Sequence, residues 1–352
     1  MTSNINTMGP PHIDAVRTVA VGFAMPGPTF GRVFAAADLA ALHAASTVRL
    51  LADRPLDLDG AADAAHLAEV EVLVTGWGSP VLDAGRLDRM PRLRAVVHSA
   101  GSIRPVVDDE VWRRGIAVAS SATANAVPVA EFSVAMIVLA AKRALAGADL
   151  LRAADGHAVD IEGTWPIVGM HGITVGVVGA SRVGRAVIER LRGYDVRVVL
   201  ADPHIDAADA ARLGVERMAL ADLCAASDIV SLHAPLLPST AGMLDRAAID
   251  AMRPGATLVN TARGGLVDQE ALADRLDRGD LAAILDVTEP EVLPSGARLR
   301  ATPNTFITPH IAGSQGNELR RLAGNAVRET LAFSATGSFA EPIAFERSVL
   351  QA

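Results

Sequence analysis

The chain has 352 residues, and 32 lysines and arginines against 40 aspartates and glutamates leave it at −8. At roughly 150 residues per domain there is room for about two domains, each large enough for its own core. The acidic balance argues against a nucleic-acid or anionic-membrane partner, and 3 % aromatics argue against base-stacking platforms.

A single cysteine, Cys224, excludes a disulfide framework and any Cys-based zinc site, and no metal site is expected. No apolar run approaches the roughly 20 residues of a membrane span. The best candidate, residues 132–141, follows Glu131 and precedes Lys142-Arg143. The N-terminus lacks a basic stretch followed by an apolar core, so no signal peptide is expected. These features point to a soluble, cytoplasmic, two-domain chain.

Residues 1–15, with Gly9-Pro10-Pro11, read as a loose tail. From Arg17 short β-branched runs alternate with alanine-rich helices. Strands are expected at 19–23, 70–74, 93–98 and 116–119, with a helix at 34–45. The loop Ser99-Ala100-Gly101-Ser102 follows the third strand. One long amphipathic helix is expected over 128–151, with Pro128 in its first turn, where proline is favoured. A Gly-rich stretch, 155–172, leads to a second alternating series. Its strands are expected at 174–178, 197–201, 229–232, 257–260, 283–286 and 305–308, with a helix between each pair. A last helix at 315–333 leaves 334–352 as an appendage. Strands alternating with helices argue a parallel sheet of βαβ units. The fold class is therefore α/β: two Rossmann-like, doubly wound parallel-sheet domains. The cofactor domain (125–314) is inserted into a split substrate domain (1–124 and 315–352).

Four loops carry chemistry. The first, Gly179-Ala-Ser181-Arg-Val-Gly184, joins a buried strand to a helix. In such a loop the first glycine allows the turn, the middle small residue lets backbone approach a pyrophosphate, and the third allows helix-on-strand packing. The helix N-terminus then offers its N–H groups to phosphates. Glycine turns also occur for purely structural reasons. Asp202 tips the balance, because it ends the next strand at about the 20-residue distance of a ribose-binding carboxylate. A carboxylate there repels a 2′-phosphate and no arginine follows it, so NAD is favoured over NADP. The second and third loops also sit at strand ends, where open α/β sheets bind ligands. They are Asn260-Thr-Ala-Arg263-Gly-Gly and Asp286-Val-Thr-Glu-Pro-Glu291, joined by Thr308-Pro-His310-Ile-Ala-Gly313 at a further strand end. Taken singly, each has a bland reading as surface arginine, solvated carboxylate or inert histidine.

In this order and spacing the segments resemble the D-isomer-specific 2-hydroxyacid dehydrogenases, the family of glyoxylate/hydroxypyruvate reductases and phosphoglycerate dehydrogenases. The likeness includes Ser231-Leu-His-Ala-Pro-Leu236, Asn125 with Val129-Ala-Glu131, and His98 to Ser102. It covers most of the chain and is weakest before Val70.

The resemblance implies Arg263, Glu291 and His310 as the catalytic set. His310 would be the general acid/base, since an imidazole with an ordinary pKa near 6.5 exchanges protons at neutral pH. Glu291 would hold its other ring nitrogen. Arg263 would bind the substrate carboxylate bidentately, which lysine does poorly. Ala100, Gly101, Ser102 and Asn125 would complete the substrate site in a cleft between the domains. The cofactor would be lined by Gly179, Ser181, Arg182, Val183, Gly184, Asp202, His233, Ala234, Pro235, Thr240, Thr261, Ala262, Arg263, Asp286, His310, Ala312 and Gly313. Asp286 would lie near the nicotinamide carboxamide, and His233 would shape its loop without doing chemistry.

Two departures stand out: Ser181 replaces the middle glycine, and Val292 stands where the family usually has proline. The chain is also one residue shorter before Asp286, so alignment on Asp286 selects Glu291 over Glu289. The implied partner is a small 2-oxo or 2-hydroxy acid, with a glyoxylate/hydroxypyruvate-type reductase expected. A homodimer is implied as well, packed through the cofactor domain. Specificity would come from residues 76–79, 99–104 and the Leu319 region, with Trp77 either capping the pocket or packing its loop. The alternative is a non-catalytic NAD(H)-sensing regulator of the same fold.

Overall fold

A computed structural model describes residues 18–165 and 167–345. The expected loose tail at 1–15 lies outside these residues. The described chain forms two compact units. The first comprises 18–99, 105–120 and 323–344, and the second comprises 100–104, 121–322 and 345.

In the first unit, strands β1 (Val19–Ala24), β2 (Val48–Pro55), β3 (Val72–Thr75), β4 (Ala95–His98) and β5 (Ala117–Ser120) form one parallel sheet. Their order is β2-β1-β3-β4-β5. β1, β3 and β4 are buried throughout, as expected of parallel strands covered on both faces, which read as unbroken apolar runs. β2 was absent from the sequence expectation. It is an edge strand, VRLLADRP, whose Arg49, Asp53 and Arg54 break the apolar pattern. The last helix is Leu319–Thr336. The segment after it is no appendage: Phe339 packs on Phe333 with ring centroids 5.0 Å apart, and Ile343 N–H donates to Val118 O at 2.8 Å.

The second unit has strands β6 (Thr174–Val178), β7 (Arg197–Ala201), β8 (Glu216–Arg217), β9 (Ile229–Leu232), β10 (Thr257–Asn260), β11 (Ala282–Leu285) and β12 (Thr305–Ile307). All pair in parallel in the order β12-β11-β10-β9-β6-β7-β8. The chain therefore reverses direction across the sheet between β6 and β9, the switch point at which such sheets bind ligands. The short edge strand β8 was not expected. Between β11 and β12 there is a single 3-10 turn, Arg298–Arg300, in place of the expected helix. Pro290, Pro294 and Gly296 deny a helix the residues it needs.

The single helix expected over 128–151 is two helices, Ala122–Ala141 and Ala144–Ala153. Alanine-rich 122–126 extends the first helix upstream, so Pro128 lies inside it and not in its first turn. Arg143, in the left-handed region at φ 54°, breaks the helix, and its guanidinium donates to Gly255 O at 2.5 Å. Ala122–Ala141 also corrects the membrane argument: its 20 residues, with an 18-residue stretch of mean hydropathy 1.7, are long and apolar enough to cross a bilayer by length and composition. Counting unbroken apolar residues missed this because Asn125 and Glu131 interrupt the run. Its apolar face, with Ala130, Val134 and Ile137, is instead packed into the core of the second unit around β6.

Candidate active site

The tip of β6 shows why small residues occupy the first loop. Gly179 has φ 94°, and a Cβ there would lie 2.6 Å from Ala234 N. A Cβ on Gly184 would lie 2.0 Å from Gly179 O, so the helix Arg182–Leu191 can approach the strand this closely only with glycine. Ser181 caps that helix, its Oγ accepting from Gly184 N at 3.2 Å. The departure from glycine thus has a local purpose. Asp202, at the tip of β7, reaches back to the same loop. Its Oδ2 accepts from Ala180 N at 2.7 Å and its Oδ1 from His204 N at 2.8 Å.

The loop after β9 lies against these glycines. His233 N–H donates to Val178 O at 2.7 Å, and its Nε2 is 2.9 Å from Ser231 Oγ. Its Nδ1 is buried with no hydrogen-bond partner among the described residues. Thr240 closes its own turn, donating to Pro235 O at 2.6 Å and accepting from Leu237 N at 2.8 Å. Thr261 is buried beside Ser133, a residue the sequence did not suggest, with their hydroxyls 2.8 Å apart.

The catalytic candidates converge at the ends of β10, β11 and β12. Asn260, at the end of β10, shapes the Arg263 turn: its Oδ1 accepts from Ala262 N at 3.0 Å and its Nδ2 donates to Arg263 O at 2.9 Å. An Asx residue bonding backbone two residues on is the available sequence signal for this role. Arg263 is half-buried and donates to Ala262 O at 2.6 Å. Gly264 is required next, because a Cβ there would sit 2.0 Å from Thr288 C. That contact presses the turn against the 286–291 loop. Gln269 grips the loop from outside, bonding Glu289 N and O through its amide.

His310 Nδ1 lies 2.5 Å from Glu291 Oε1. Glu289 does not take this place. Because a carboxylate only accepts, Nδ1 carries the shared proton and Nε2 is left for a ligand. His310 has φ 54°, a conformation histidine adopts more readily than most side chains. Asp286 holds it there. Buried at the end of β11, Asp286 accepts from Thr308 Oγ1 at 2.6 Å, Ile311 N at 2.8 Å and Ala312 N at 2.8 Å.

Asn125 joins two further loops of this unit. Its Oδ1 accepts from Ser314 N at 3.0 Å, and a Cβ on Gly101 would lie 3.2 Å from its Nδ2. Ala100 O accepts from Ser121 N at 3.1 Å, which ties the 100–104 loop to the start of the same helix. Trp77 belongs to the first unit and is 40 % exposed, while Val292 is 83 % exposed on its loop. Among the described residues no group of three His, Cys, Asp or Glu side chains is placed to hold a metal.

The sequence model of the NAD-binding domain of D-isomer specific 2-hydroxyacid dehydrogenases matches residues 134–312. The chain belongs to this family. It is 36 % identical over 279 residues to a D-3-phosphoglycerate dehydrogenase of Mycobacterium tuberculosis, covering 78 % of this chain and 51 % of that protein. The chain thus spans about half the length of these relatives. A glyoxylate reductase of Korarchaeum cryptofilum is 31 % identical, with 76 % of this chain and 81 % of that protein covered. Among solved structures, the TT0316 protein of Thermus thermophilus superposes with a TM-score of 0.69 at 32 % identity, covering 93 % of this chain and all of that one.

A 2-hydroxyacid dehydrogenase needs a nicotinamide cofactor, and the residues here fit one. Gly179 and Gly184 let the 233–234 backbone and the start of the helix Arg182–Leu191 close onto the tip of β6 at the switch point, and Asp202 stands at the neighbouring strand tip. The unpartnered His233 Nδ1 lies in the loop packed against them. Burial pushes the His233 imidazole down to about 3, so it is neutral in the folded protein. The unfolded chain takes up this proton near the ordinary value of about 6.5. Stability from this group is therefore complete above about 6.5 and is lost as pH falls toward about 3. Between pH 7 and 4.5 the wild type is expected to lose about 2–3 kcal/mol more unfolding free energy than His233→Asn, read from urea midpoints at both pH values.

Proposed function

We propose that the chain is an NAD-dependent oxidoreductase that interconverts a D-2-hydroxy acid and its 2-oxo acid. The observation that carries this reading is the His310–Glu291 pair at 2.5 Å, on the loop next to the Arg263 turn. Arg263 binds the substrate carboxylate with the donors its single backbone contact leaves over. Asn125 and the backbone of Ala100, Gly101 and Ser102 complete that pocket. His310 Nε2 gives its proton to the 2-oxo oxygen in reduction and takes it back in oxidation, while Glu291 keeps the ring oriented. The bound nicotinamide supplies or accepts the hydride. Burial draws the Arg263 guanidinium below its usual range, opposed by Glu291, and an anionic substrate removes that penalty. We place the enzyme in the cytoplasm as a homodimer, and Leu150 and Leu151, exposed on a helix with no buried residue, suit such a contact.

The test is consumption of NADH, and separately NADPH, with glyoxylate, hydroxypyruvate, pyruvate and phenylpyruvate. Turnover with NADH is expected, and Asp202→Ser should raise kcat/KM with NADPH relative to NADH at least tenfold, because the carboxylate that repels a 2′-phosphate is gone. Nucleotide binding without turnover of any acid would replace this reading with an NAD(H)-sensing protein.

A further inference from the structure

The loop that carries Glu291 has a firm base and an exposed tip. Asp286, Val287 and Thr288 are buried, whereas 289–292 are exposed. Among the described residues the exposed stretch makes no backbone–backbone hydrogen bond. Thr288 folds it over from within, its hydroxyl donating to Pro290 O at 2.8 Å and to Glu291 O at 3.2 Å. From outside the loop, its backbone is held by Gln269. The Gln269 Nε2 donates to Glu289 O, and its Oε1 accepts from Glu289 N at 3.3 Å. Gln269 is itself well anchored, as the first residue of the helix Gln269–Asp277. Asp268 caps that helix, accepting from Ala271 N at 2.9 Å and donating its own N–H to Leu244 O at 3.0 Å. Leu272 and Leu276 fix the helix in the core.

The exposed tip carries two carboxylates, Glu289 and Glu291, and both are within a short loop of the same imidazole. In the structure they part. Glu289 Oε2 lies 3.8 Å from where a Cβ on Gly265 would be, while Glu291 Oε1 meets His310 Nδ1 at 2.5 Å. The orientation of the Glu289 backbone decides which carboxylate goes where. That backbone presents one donor and one acceptor, and a primary amide is the side-chain group that offers both complements without a charge. We propose that Gln269 is a positioning residue: by gripping Glu289 it keeps Glu291, two residues on, at the His310 ring and turns Glu289 away from it. Gln269 touches no reacting atom and acts through Glu291. Its effect on turnover rests on the oxidoreductase reading above, whereas its effect on the Glu291–His310 bond does not.

The experiment uses the full chain with NADH and whichever 2-oxo acid the wild type reduces best, for wild type, Gln269→Glu and Gln269→Met. Gln269→Glu keeps the length and still accepts from Glu289 N, but it sets a carboxylate oxygen against Glu289 O. A carboxylate in the first turn favours the helix, so this variant disturbs the loop without weakening the fold. Both variants are expected to lose at least fivefold in kcat with KM changed by less than about twofold, and Gln269→Glu should keep the wild-type thermal midpoint. In a Glu291→Gln background, Gln269→Met should cost less than about twofold more, because the residue it acts through is already gone. Wild-type kcat in both variants, a kcat loss in Gln269→Glu that comes with a lowered midpoint, or the same loss with and without Glu291 would overturn the inference while leaving the oxidoreductase reading intact. If the wild type reduces no acid, that reading falls, and Gln269 is then judged by proton NMR. The His310 Nδ1 proton, bonded to a carboxylate, should give a low-field resonance that is missing from His310→Gln. Its loss in Gln269→Met supports the positioning role. Its retention there, or its absence from the wild type, overturns it.

Discussion

Replacing His310 with glutamine is expected to lower kcat/KM for 2-oxo acid reduction by about 10²–10⁴-fold, the range that a positioned general acid contributes. The imidazole is held on one side by Glu291 Oε1 at 2.5 Å, which leaves Nε2 as its one free proton-transfer atom. Glutamine can reach a similar volume, yet its amide cannot hand over a proton at neutral pH. Single-turnover kinetics with NADH check this, since the loss should fall on the chemical step. A variant within tenfold of wild type would show that another group or a water delivers the proton, and the assignment of His310 would fail. The fold should be preserved, because the loop is held by backbone bonds and by Asp286, not by the imidazole.

Asp286→Asn is expected to be the most damaging isosteric change in the second unit. The wild-type carboxylate accepts from three donors, the Thr308 hydroxyl and the amides of Ile311 and Ala312. An asparagine offers a single acceptor oxygen, so its NH₂ must face at least one of these donors. Leaving a buried donor unsatisfied costs about 1–3 kcal/mol, and more where the lost partner was charged. The loop so loosened is the one that keeps His310 at positive φ. Unfolding free energy should therefore fall by roughly 2–4 kcal/mol, and kcat by at least tenfold through misplacement of the imidazole. Denaturant titration reads the first, and steady-state turnover reads the second. A stable variant with wild-type kcat would mean that Asp286 is not what positions the His310 loop.

The second unit was more legible than the first. β6, β7, β9 and β10 were expected at their observed bounds because each is a short β-branched run, and buried parallel strands show no alternation to confuse. β2 and β8 were missed for the converse reason, as edge strands that carry charge. The helix break at Arg143 left no mark, since a left-handed arginine looks like any other arginine in a chain. Asp286 illustrates the same limit within the site. Its type and position were plain, and it was expected beside the nicotinamide, but its three donors lie 22 to 26 residues away, so its grip on the His310 loop was invisible. Ser133 and Thr261, 128 residues apart, are a still longer case.

What the sequence determined by itself was the alternation of strands and helices, the small residues at the first loop, and the residue types available at each strand end. These are local properties, set by apolar patterning and by the sterics of one turn. The tertiary structure decided which of those residues meet: Glu291 with His310, Asp202 with Ala180, and Asp286 with Ile311 and Ala312. In a parallel sheet the strand ends that face a ligand come from distant parts of the chain. Their pairing depends on strand order and register, and these are settled only when the whole sheet packs.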